Sequence, residues 1–330
     1  MSLRLSRQPL LLCILKLAVV SGVVADEQQS VEGEAADRSG EKGFRALYIM
    51  DDDGSNVRFL AAAPGMISSS SPEFSRDGKM IAFDAVPQIE EFQQSKIFIY
   101  YLDGPSKGQF KDIGFGNVPT WSPDGHQIAF MLNSNTPTGE EWGTWMMDSD
   151  GSKRRRLCSG WYPRWSSDGK SICVLTTTER PSSLKLYDVK SGESRKLLGD
   201  DWTVANSGGS WSADGKRVAF IGTRDGKMHL AIAEVDAKEP SVGIVYTESD
   251  PERRLIGPPA WCPTKKQLLM GIQKLEPPDA DRSWQHTFVY SIHSEMPTTP
   301  SLFEKKQVGR INRSMTWSPD GRQVVFSSER

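Results

Sequence analysis

The chain repeats one short motif, an aromatic residue followed by Ser-x-Asp-Gly and then by an apolar triplet, through most of its 330 residues. Five copies keep the motif, and a sixth, which begins at Trp261, has lost its Asp and Gly. The aromatic residues stand at positions 74, 121, 165, 211, 261 and 317, so the repeat is 44 to 56 residues long. A period of this length is typical of radial or stacked arrays of small sheets. The motif residues are Phe74, Asp77 and Gly78; Trp121, Asp124 and Gly125; Trp165, Asp168 and Gly169; Trp211, Asp214 and Gly215; Trp261; and Trp317, Asp320 and Gly321.

Each intact copy has the composition of a tight hairpin turn. In the copy that starts at Trp121, Pro123 presets φ, Asp124 has a short side chain that bonds nearby backbone, and Gly125 accepts a left-handed conformation. The aromatic residue and the apolar triplet at 128–130 are then the two strands of the hairpin. Because the aspartate recurs in every intact copy, we interpret it as turn chemistry and not as a catalytic group.

A second pair of strands follows most hairpins and completes a four-stranded unit. The second copy, for example, is followed by apolar segments at 144–147 and 155–157. The last hairpin has no such pair after it, whereas an unassigned pair of strands occupies residues 44–61. We therefore predict an all-β fold, a six-bladed β-propeller of four-stranded blades over residues 44–330, in which the N-terminal strands complete the last blade and close the ring.

The first 43 residues precede the predicted propeller. Residues 1–25 begin with Arg4 and Arg7 and continue as a largely apolar run, so we predict a secretory signal peptide, with an uncleaved anchor as the alternative. Residues 26–43 are polar and without apolar periodicity, and we predict a disordered leader. Since no other apolar run is long enough to span a bilayer, we expect no stable membrane span after signal removal and a periplasmic or secreted location.

Composition and motifs argue against several classes of function. The formal net charge of −2 offers no basic excess for nucleic-acid binding. The three cysteines outside the signal, at positions 158, 173 and 262, form neither a disulfide framework nor a zinc pattern. The sequence has no GxSxG, HExxH or GxxxxGK[ST] motif, so we expect no cofactor, no bound metal and no built-in serine hydrolase.

The repeat resembles the PD-type propeller repeat of the TolB family. The resemblance rests on the Trp-Ser-Pro-Asp-Gly hairpins and on strand pairs such as Tyr48-Ile49-Met50-Asp51-Asp52-Asp53-Gly54-Ser55-Asn56, and it covers residues 44–330. It implies a periplasmic propeller that binds a peptidoglycan-associated lipoprotein. TolB proteins also contact an inner-membrane partner through a separate N-terminal domain. Only residues 26–43 separate the predicted signal from the first strand, so we expect that domain to be absent here.

Two connections are longer than the others, residues 133–141 and 273–286. Long loops on a rigid array usually gather on one rim and often carry binding residues. In the second of these loops we predict Asp281, Arg282 and Trp284 as binding residues, with Trp284 as an exposed anchor. The alternative is that Trp284 packs against its own blade.

These observations leave two main hypotheses for function. In the first, the chain is a monomeric binding scaffold that uses one rim and the central channel to bind a protein or a cell-envelope component. In the alternative, it is a hydrolase, lyase or peptidase-associated propeller with a catalytic set at the channel mouth. Separate blades would supply such a set from distant points of the sequence, so motif searches do not detect it. A third hypothesis is a cytoplasmic interaction propeller.

Overall fold

The computed structural model describes residues 30–31, 43–178, 180–204, 207–274, 287–295, 299–303 and 311–329. These residues form six antiparallel sheets, each with four strands of the repeat. The innermost strands of successive sheets contact one another, and the innermost strands of the last and first sheets are also in contact, so the sheets close into a ring. The predicted all-β, six-bladed propeller is thus confirmed.

The strands are numbered in chain order, and three of them precede the first complete blade. These are β1 (Ser30–Val31), β2 (Ala46–Asp51) and β3 (Arg58–Ala61). Blade 1 contains β4 (Ser68–Phe74), β5 (Met80–Val86), β6 (Lys96–Tyr101) and β7 (Phe110–Phe115). Blade 2 contains β8 (Asn117–Trp121), β9 (Gln127–Leu132), β10 (Gly143–Asp148) and β11 (Arg155–Cys158). Blade 3 contains β12 (Trp161–Trp165), β13 (Ser171–Thr176), β14 (Ser183–Asp188) and β15 (Ser194–Lys196).

The remaining blades follow the same order from the axis outwards. Blade 4 contains β16 (Ser210–Trp211), β17 (Arg217–Arg224), β18 (Lys227–Glu234) and β19 (Val242–Glu248). Blade 5 contains β20 (Arg253–Trp261), β21 (Gln267–Lys274), β22 (Thr287–His293) and β23 (Ser301–Leu302). Blade 6 begins with β24 (Ile311–Trp317) and β25 (Gln323–Glu329). The described part of the chain also has a three-residue 3-10 helix, Phe92–Gln94, and none of its helices has the length and apolar character needed to cross a membrane.

Both ends of the chain build blade 6. Its strand order is β24-β25-β2-β3, so the C-terminal hairpin forms the inner half and the N-terminal pair forms the outer half. Leu47 pairs with Ser327 and Ile49 pairs with Val325 across the antiparallel junction. This confirms the predicted closure, in which pairing removes two exposed sheet edges.

A further strand lies on the outer edge of blade 1. In β1, Ser30 pairs with Lys111 and Val31 pairs with Phe110, so this sheet has five strands. Both residues belong to the segment that the sequence predicts as a leader. Pairing at this position covers the outer edge that β7 would otherwise present to solvent.

Hydrophobic side chains are buried between the blades. In the part of the chain that the structure describes, the core divides into six clusters, and each cluster joins two neighbouring blades. Successive residues of a strand point to opposite faces of its sheet. In β17, Val218 and Phe220 therefore pack against blade 3, whereas Ala219 and Ile221 pack against blade 5. Since both faces are covered, the second strand of each blade reads as a continuous apolar run.

The repeated turns lie on one face of the ring, here called the turn face. In blade 2, the Asp124 Oδ1 accepts a hydrogen bond of 2.6 Å from the Ser122 hydroxyl and one of 3.0 Å from the His126 N–H. The other four intact copies make the same pair of bonds. In the sixth copy, Cys262 Sγ lies 3.7 Å from Thr264 Oγ1 in place of the serine–aspartate bond.

The repeat aromatics connect each blade to the one before it. The Trp121 N–H donates to the Glu73 carboxylate, the Trp165 N–H to the Thr120 hydroxyl, and the Trp261 N–H to the Ser210 hydroxyl. In each pair, the acceptor is the residue that directly precedes the aromatic of the earlier blade. The ring therefore has a polar connection between blades in addition to its apolar interfaces.

Replacing Leu47 by Ala should lower the free energy of unfolding of the whole propeller by about 2–5 kcal/mol, because Leu47 is fully buried between blades 6 and 1. The measurement is urea unfolding followed by tryptophan fluorescence. Ile89→Ala is the matched control, since Ile89 is 41% exposed and its loss should change stability by less than about 0.5 kcal/mol. Equal effects of the two substitutions would contradict the role of β2 in closing the ring.

Candidate functional site

A cavity of about 1260 Å³ lies on the axis of the ring and is called the vestibule here. Its wall comes from the starts of the inner strands and the ends of the second strands, which lie away from the turn face. The vestibule therefore opens on the opposite side, the loop face, which carries the connections between the second and third strands of the blades. All six blades contribute, with one residue from each in chain order being Asp84, Asn117, Tyr162, Ile221, Leu255 and Arg313.

A bulge recurs where the inner strands pass the vestibule. Ser71, Val118, Tyr162 and Ser314 have φ between 49° and 52°, and each precedes its repeat aromatic by three residues. The pairing register with the second strand shifts at each of these positions. Such a conformation is unfavourable for a β-branched residue such as Val118, and local strain of this kind concentrates at binding and active sites. All four residues line the vestibule.

The bulge has a sequence signal that the prediction did not use. A proline stands two residues before the aromatic in four of the copies, at Pro72, Pro119, Pro163 and Pro259. Proline has no N–H to donate to the ladder and is found in sheets mainly at edges and bulges. The prolines therefore mark the inner strands as irregular edges beside the axis.

Asp84 is a buried carboxylate in the vestibule wall. It accepts a hydrogen bond of 2.7 Å from the Val118 N–H, and the Ser71 hydroxyl also donates to it. Burial raises the pKa of Asp84, while these two bonds and the charges of Arg164 and Arg45 oppose that shift. The left-handed conformation of Val118 thus accompanies a specific bond to a buried acid.

Two arginines also line the vestibule. Arg45 directly precedes β2, Arg313 lies in β24, and both belong to the closing blade. Burial lowers the pKa of Arg45, and the positive charge of Arg313 lowers it further, against the opposing charges of Glu329 and Asp84. The Nε atom of Arg45 is buried, and no described residue accepts a hydrogen bond from it.

A smaller cavity of about 180 Å³ continues the axis towards the turn face and is called the neck. Arg164 Nε and Glu73 Oε2 lie 3.8 Å apart there. Glu73 Oε1 accepts hydrogen bonds of 2.8 Å from the Thr120 hydroxyl and 3.0 Å from the Trp121 N–H. Burial raises the pKa of Glu73, and the charge of Arg164 is the main opposing effect. The neck therefore holds one positive and one negative group.

Aromatic side chains stand at the mouth of the vestibule. Phe92, in the 3-10 helix of blade 1, is 57% exposed, and the Asn133 side chain of blade 2 donates a hydrogen bond of 3.1 Å to its carbonyl. Trp161 lines the wall and stacks on Trp142, with ring centroids 5.4 Å apart and an interplanar angle of 17°. Exposed aromatic groups beside a polar cavity are common in surfaces that bind other molecules.

The structure describes the first of the two long connections, residues 133–141, but not the predicted binding residues of the second. Residues 133–135, at the start of the loop predicted at 133–141, line the vestibule mouth. The predicted binding residues Asp281, Arg282 and Trp284 lie outside the described residues, although β21 and β22, which flank their loop, meet at the loop face. The vestibule arginines were not among the residues predicted from the sequence.

The described wall of the vestibule contains serines but neither histidine nor cysteine. His229 is buried away from the axis, where its ring contacts Trp202 and its Nδ1 lies 2.9 Å from the Thr247 hydroxyl. In the portion of the chain covered by the structure, no group of three or more His, Cys, Asp or Glu side chains is arranged to hold a metal ion. The described groups of the vestibule are suited to binding through hydrogen bonds, charge and aromatic contact.

Replacing Asp84 by Asn should change how the stability of the protein depends on pH. Burial raises the pKa of Asp84, so the folded protein keeps this proton to a higher pH than the unfolded chain does. Wild-type stability is therefore lost as the pH rises from the unfolded pKa, about 3.9, through the raised folded pKa. In urea titrations at several pH values, Asp84→Asn should gain stability relative to wild type as the pH rises above about 4.

Asp124→Asn is the matched control, because its effect should have the opposite sign. The bond from the Ser122 hydroxyl lowers the pKa of Asp124, so its contribution is present above the unfolded pKa and is lost as the pH falls. The free energy of unfolding of this variant should fall below that of wild type as the pH rises to about 5. Above that pH the difference between the two proteins should stay constant. If the free energies of unfolding of Asp84→Asn and wild type differed by the same amount at every pH, the buried-charge interpretation would be contradicted.

Comparison with known proteins agrees with the geometry. The family model PD40, described as the TolB beta propeller domain, matches residues 34–238. A putative TolB from Agrobacterium tumefaciens has a similar structure, with a TM-score of 0.65 and 18% identity over 87% of this chain and 98% of that chain. TolB from Acinetobacter baumannii has a TM-score of 0.56 and 18% identity over 88% of this chain and 65% of that one.

A curated relative is longer than the matched region. The Uncharacterized peptidase YuxL of Bacillus subtilis (strain 168) is 26% identical over 224 residues, which are 66% of this chain and 31% of that protein. The match thus spans about a third of the length of that relative. Since the family model covers more than half of the sequence, the chain belongs to the TolB β-propeller domain family.

Proposed function

We propose that the protein is an exported propeller that binds a protein or another cell-envelope component at its loop face. The observation that carries the proposal is the vestibule, which every blade helps to form and which combines two arginines and a buried aspartate with aromatic side chains at its mouth. Such a cavity offers a partner a concave surface with few, fixed polar groups, which is the usual form of a specific binding site. We propose that the chain acts as a monomer.

A peptidase-associated role is the second candidate, and the Bacillus subtilis relative favours it. That protein is named as a peptidase, and the matched region is about a third of its length. In this alternative, the vestibule would receive a peptide that a catalytic unit then cleaves. The two candidates differ in what happens to the bound polypeptide, which stays intact in the first and is hydrolysed in the second.

Photocrosslinking tests where a partner binds. A photocrosslinking amino acid in place of Phe92 should form a discrete adduct with a polypeptide in cells that make the full chain, because Phe92 is exposed at the vestibule mouth. Lys170 on the turn face is the control, since its side chain is 79% exposed. Adducts that form equally at both positions, or at Lys170 alone, would refute binding at the loop face. Fragmented adducts would favour the peptidase-associated role.

Export is tested by the N-terminus of the mature protein. Mass spectrometry of the chain purified from an envelope or secreted fraction should give Asp26 as the first residue, because the apolar run ends in small residues near Ala25. A chain that begins at Met1 and is found in the cytosol would contradict export. That result would leave the binding surface itself open to the crosslinking test.

A further inference from the structure

The vestibule wall carries two guanidinium groups, those of Arg45 and Arg313. Arg45 and Arg313 lie on the same cavity wall, close enough for the charge of Arg313 to lower the pKa of Arg45. Within the described ranges, neither arginine forms a salt bridge, and the buried Nε of Arg45 has no acceptor. Arg45 is half-buried and Arg313 is exposed. Holding two like charges close together is unfavourable without an anion between or beside them.

The neighbouring acids are already engaged with other groups. Asp84 accepts hydrogen bonds from the Val118 N–H and the Ser71 hydroxyl. Glu329 accepts a hydrogen bond of 3.1 Å from the Gly43 N–H, and Glu73 is held in the neck by Arg164, Thr120 and Trp121. Glu329 and Asp84 act on Arg45 only through longer-range attraction. Among the described residues, no acid is therefore paired with either guanidinium group of the arginine pair.

The charge balance indicates which anion fits. Among the described residues that line the vestibule, Arg45 and Arg313 contribute two positive charges, and Asp84, whose pKa is raised by burial, contributes at most one negative charge, which leaves a balance of at least one positive charge. Arg164 and Glu73 cancel in the neck. A carboxylate satisfies this balance and brings a single negative charge beside Asp84, where a dianionic phosphate would bring two. The planar guanidinium fork also matches a carboxylate in shape, with two parallel hydrogen bonds.

The size and lining of the cavity indicate what carries that carboxylate. A volume of about 1260 Å³ is larger than a small organic acid requires. Trp161, Met131, Leu175 and Met228 supply apolar contact around the polar groups, and Phe92 extends this surface to the mouth. We propose that Arg45 and Arg313 bind a carboxylate of a polypeptide segment that enters the vestibule beside apolar residues of its own. This inference rests on the proposed binding function and names the chemistry that the partner must present.

The test uses short random peptides displayed in two libraries, one with free C-termini and one with blocked C-termini. Both are selected on the full protein and counter-selected on the Arg45→Gln/Arg313→Gln double variant. The recovered peptides should carry an acidic residue or depend on a free C-terminus, with apolar residues nearby. Enrichment only in the free library identifies the C-terminal carboxylate, and enrichment in both identifies Asp or Glu side chains.

The contact between the arginines and the carboxylate is then tested by comparing the affinity of a selected peptide with that of an analogue in which the carboxylate is replaced by an amide. Arg45→Gln or Arg313→Gln should weaken binding of the acidic peptide about 10- to 100-fold, the range expected for a charge-assisted hydrogen bond. Neither variant should weaken binding of the amide analogue further, because the shared interaction is already lost. Arg322→Gln on the turn face, where the arginine side chain is 83% exposed, is the matched control and should have no effect. Arg45→Lys and Arg313→Lys keep the charge and should retain part of the affinity.

The possible negative results distinguish failure of the carboxylate assignment from failure of the proposed function. Peptides that crosslink at Phe92 but bind wild type and the glutamine variants equally would overturn the carboxylate assignment and leave the proposed function intact. Peptides that crosslink only on the turn face would contradict both proposals. Recovery of no binding peptide would overturn the carboxylate assignment alone, because the proposed function also includes partners that are folded proteins or other envelope components. An equal loss of affinity for the acidic peptide and its amide would also overturn the assignment, since it would show a structural effect of the substitution.

Discussion

The structure depends on burial of both faces of every sheet. A lone four-stranded blade would expose two apolar surfaces, and the ring removes both by giving each blade two neighbours. The side chains of β17 show the principle, because residues of odd and even position enter different interfaces. Stability is thus a property of contacts between neighbours, as in other repeat proteins. This arrangement leaves a channel along the axis of the ring. The channel is lined by the inner edges of the sheets, because the sheet faces are already packed against neighbouring blades.

The properties that the sequence predicts are those with local causes. A turn is specified by five consecutive residues, and the apolar triplet after it identifies the strand that follows. Counting the copies then gives the number of blades, and the unassigned pair at 44–61 gives the closure. The TolB resemblance rests on the same local motifs, which is why it describes architecture well and biology only coarsely.

The vestibule could not be predicted in the same way, because no short segment contains it. Arg45 and Arg313 come from opposite ends of the sequence, and Asp84 comes from the second strand of blade 1. Neither arginine belongs to a motif, and each resembles an ordinary surface charge until the ring closes. The prolines before the aromatics were a usable signal for the bulges, but their meaning depends on which strand edge faces the axis. The predicted loop residue Trp284 lies outside the described residues, so it remains a prediction.

The shared construction of blade 6 has a consequence for when the protein becomes competent to bind. Arg45 arrives with the N-terminal strands and Arg313 with the C-terminal hairpin, so the arginine pair exists only after both ends of the chain have met. A chain still emerging from the ribosome has half of the site. A carboxylate bound by both arginines would stabilise the closed ring, because it binds the protein in which blade 6 is complete and not the protein in which it is open. At a ligand concentration one hundred times Kd, such linkage adds about 2.7 kcal/mol to the stability of the closed state. Ligand binding at the arginine pair and closure of the ring would then be thermodynamically coupled.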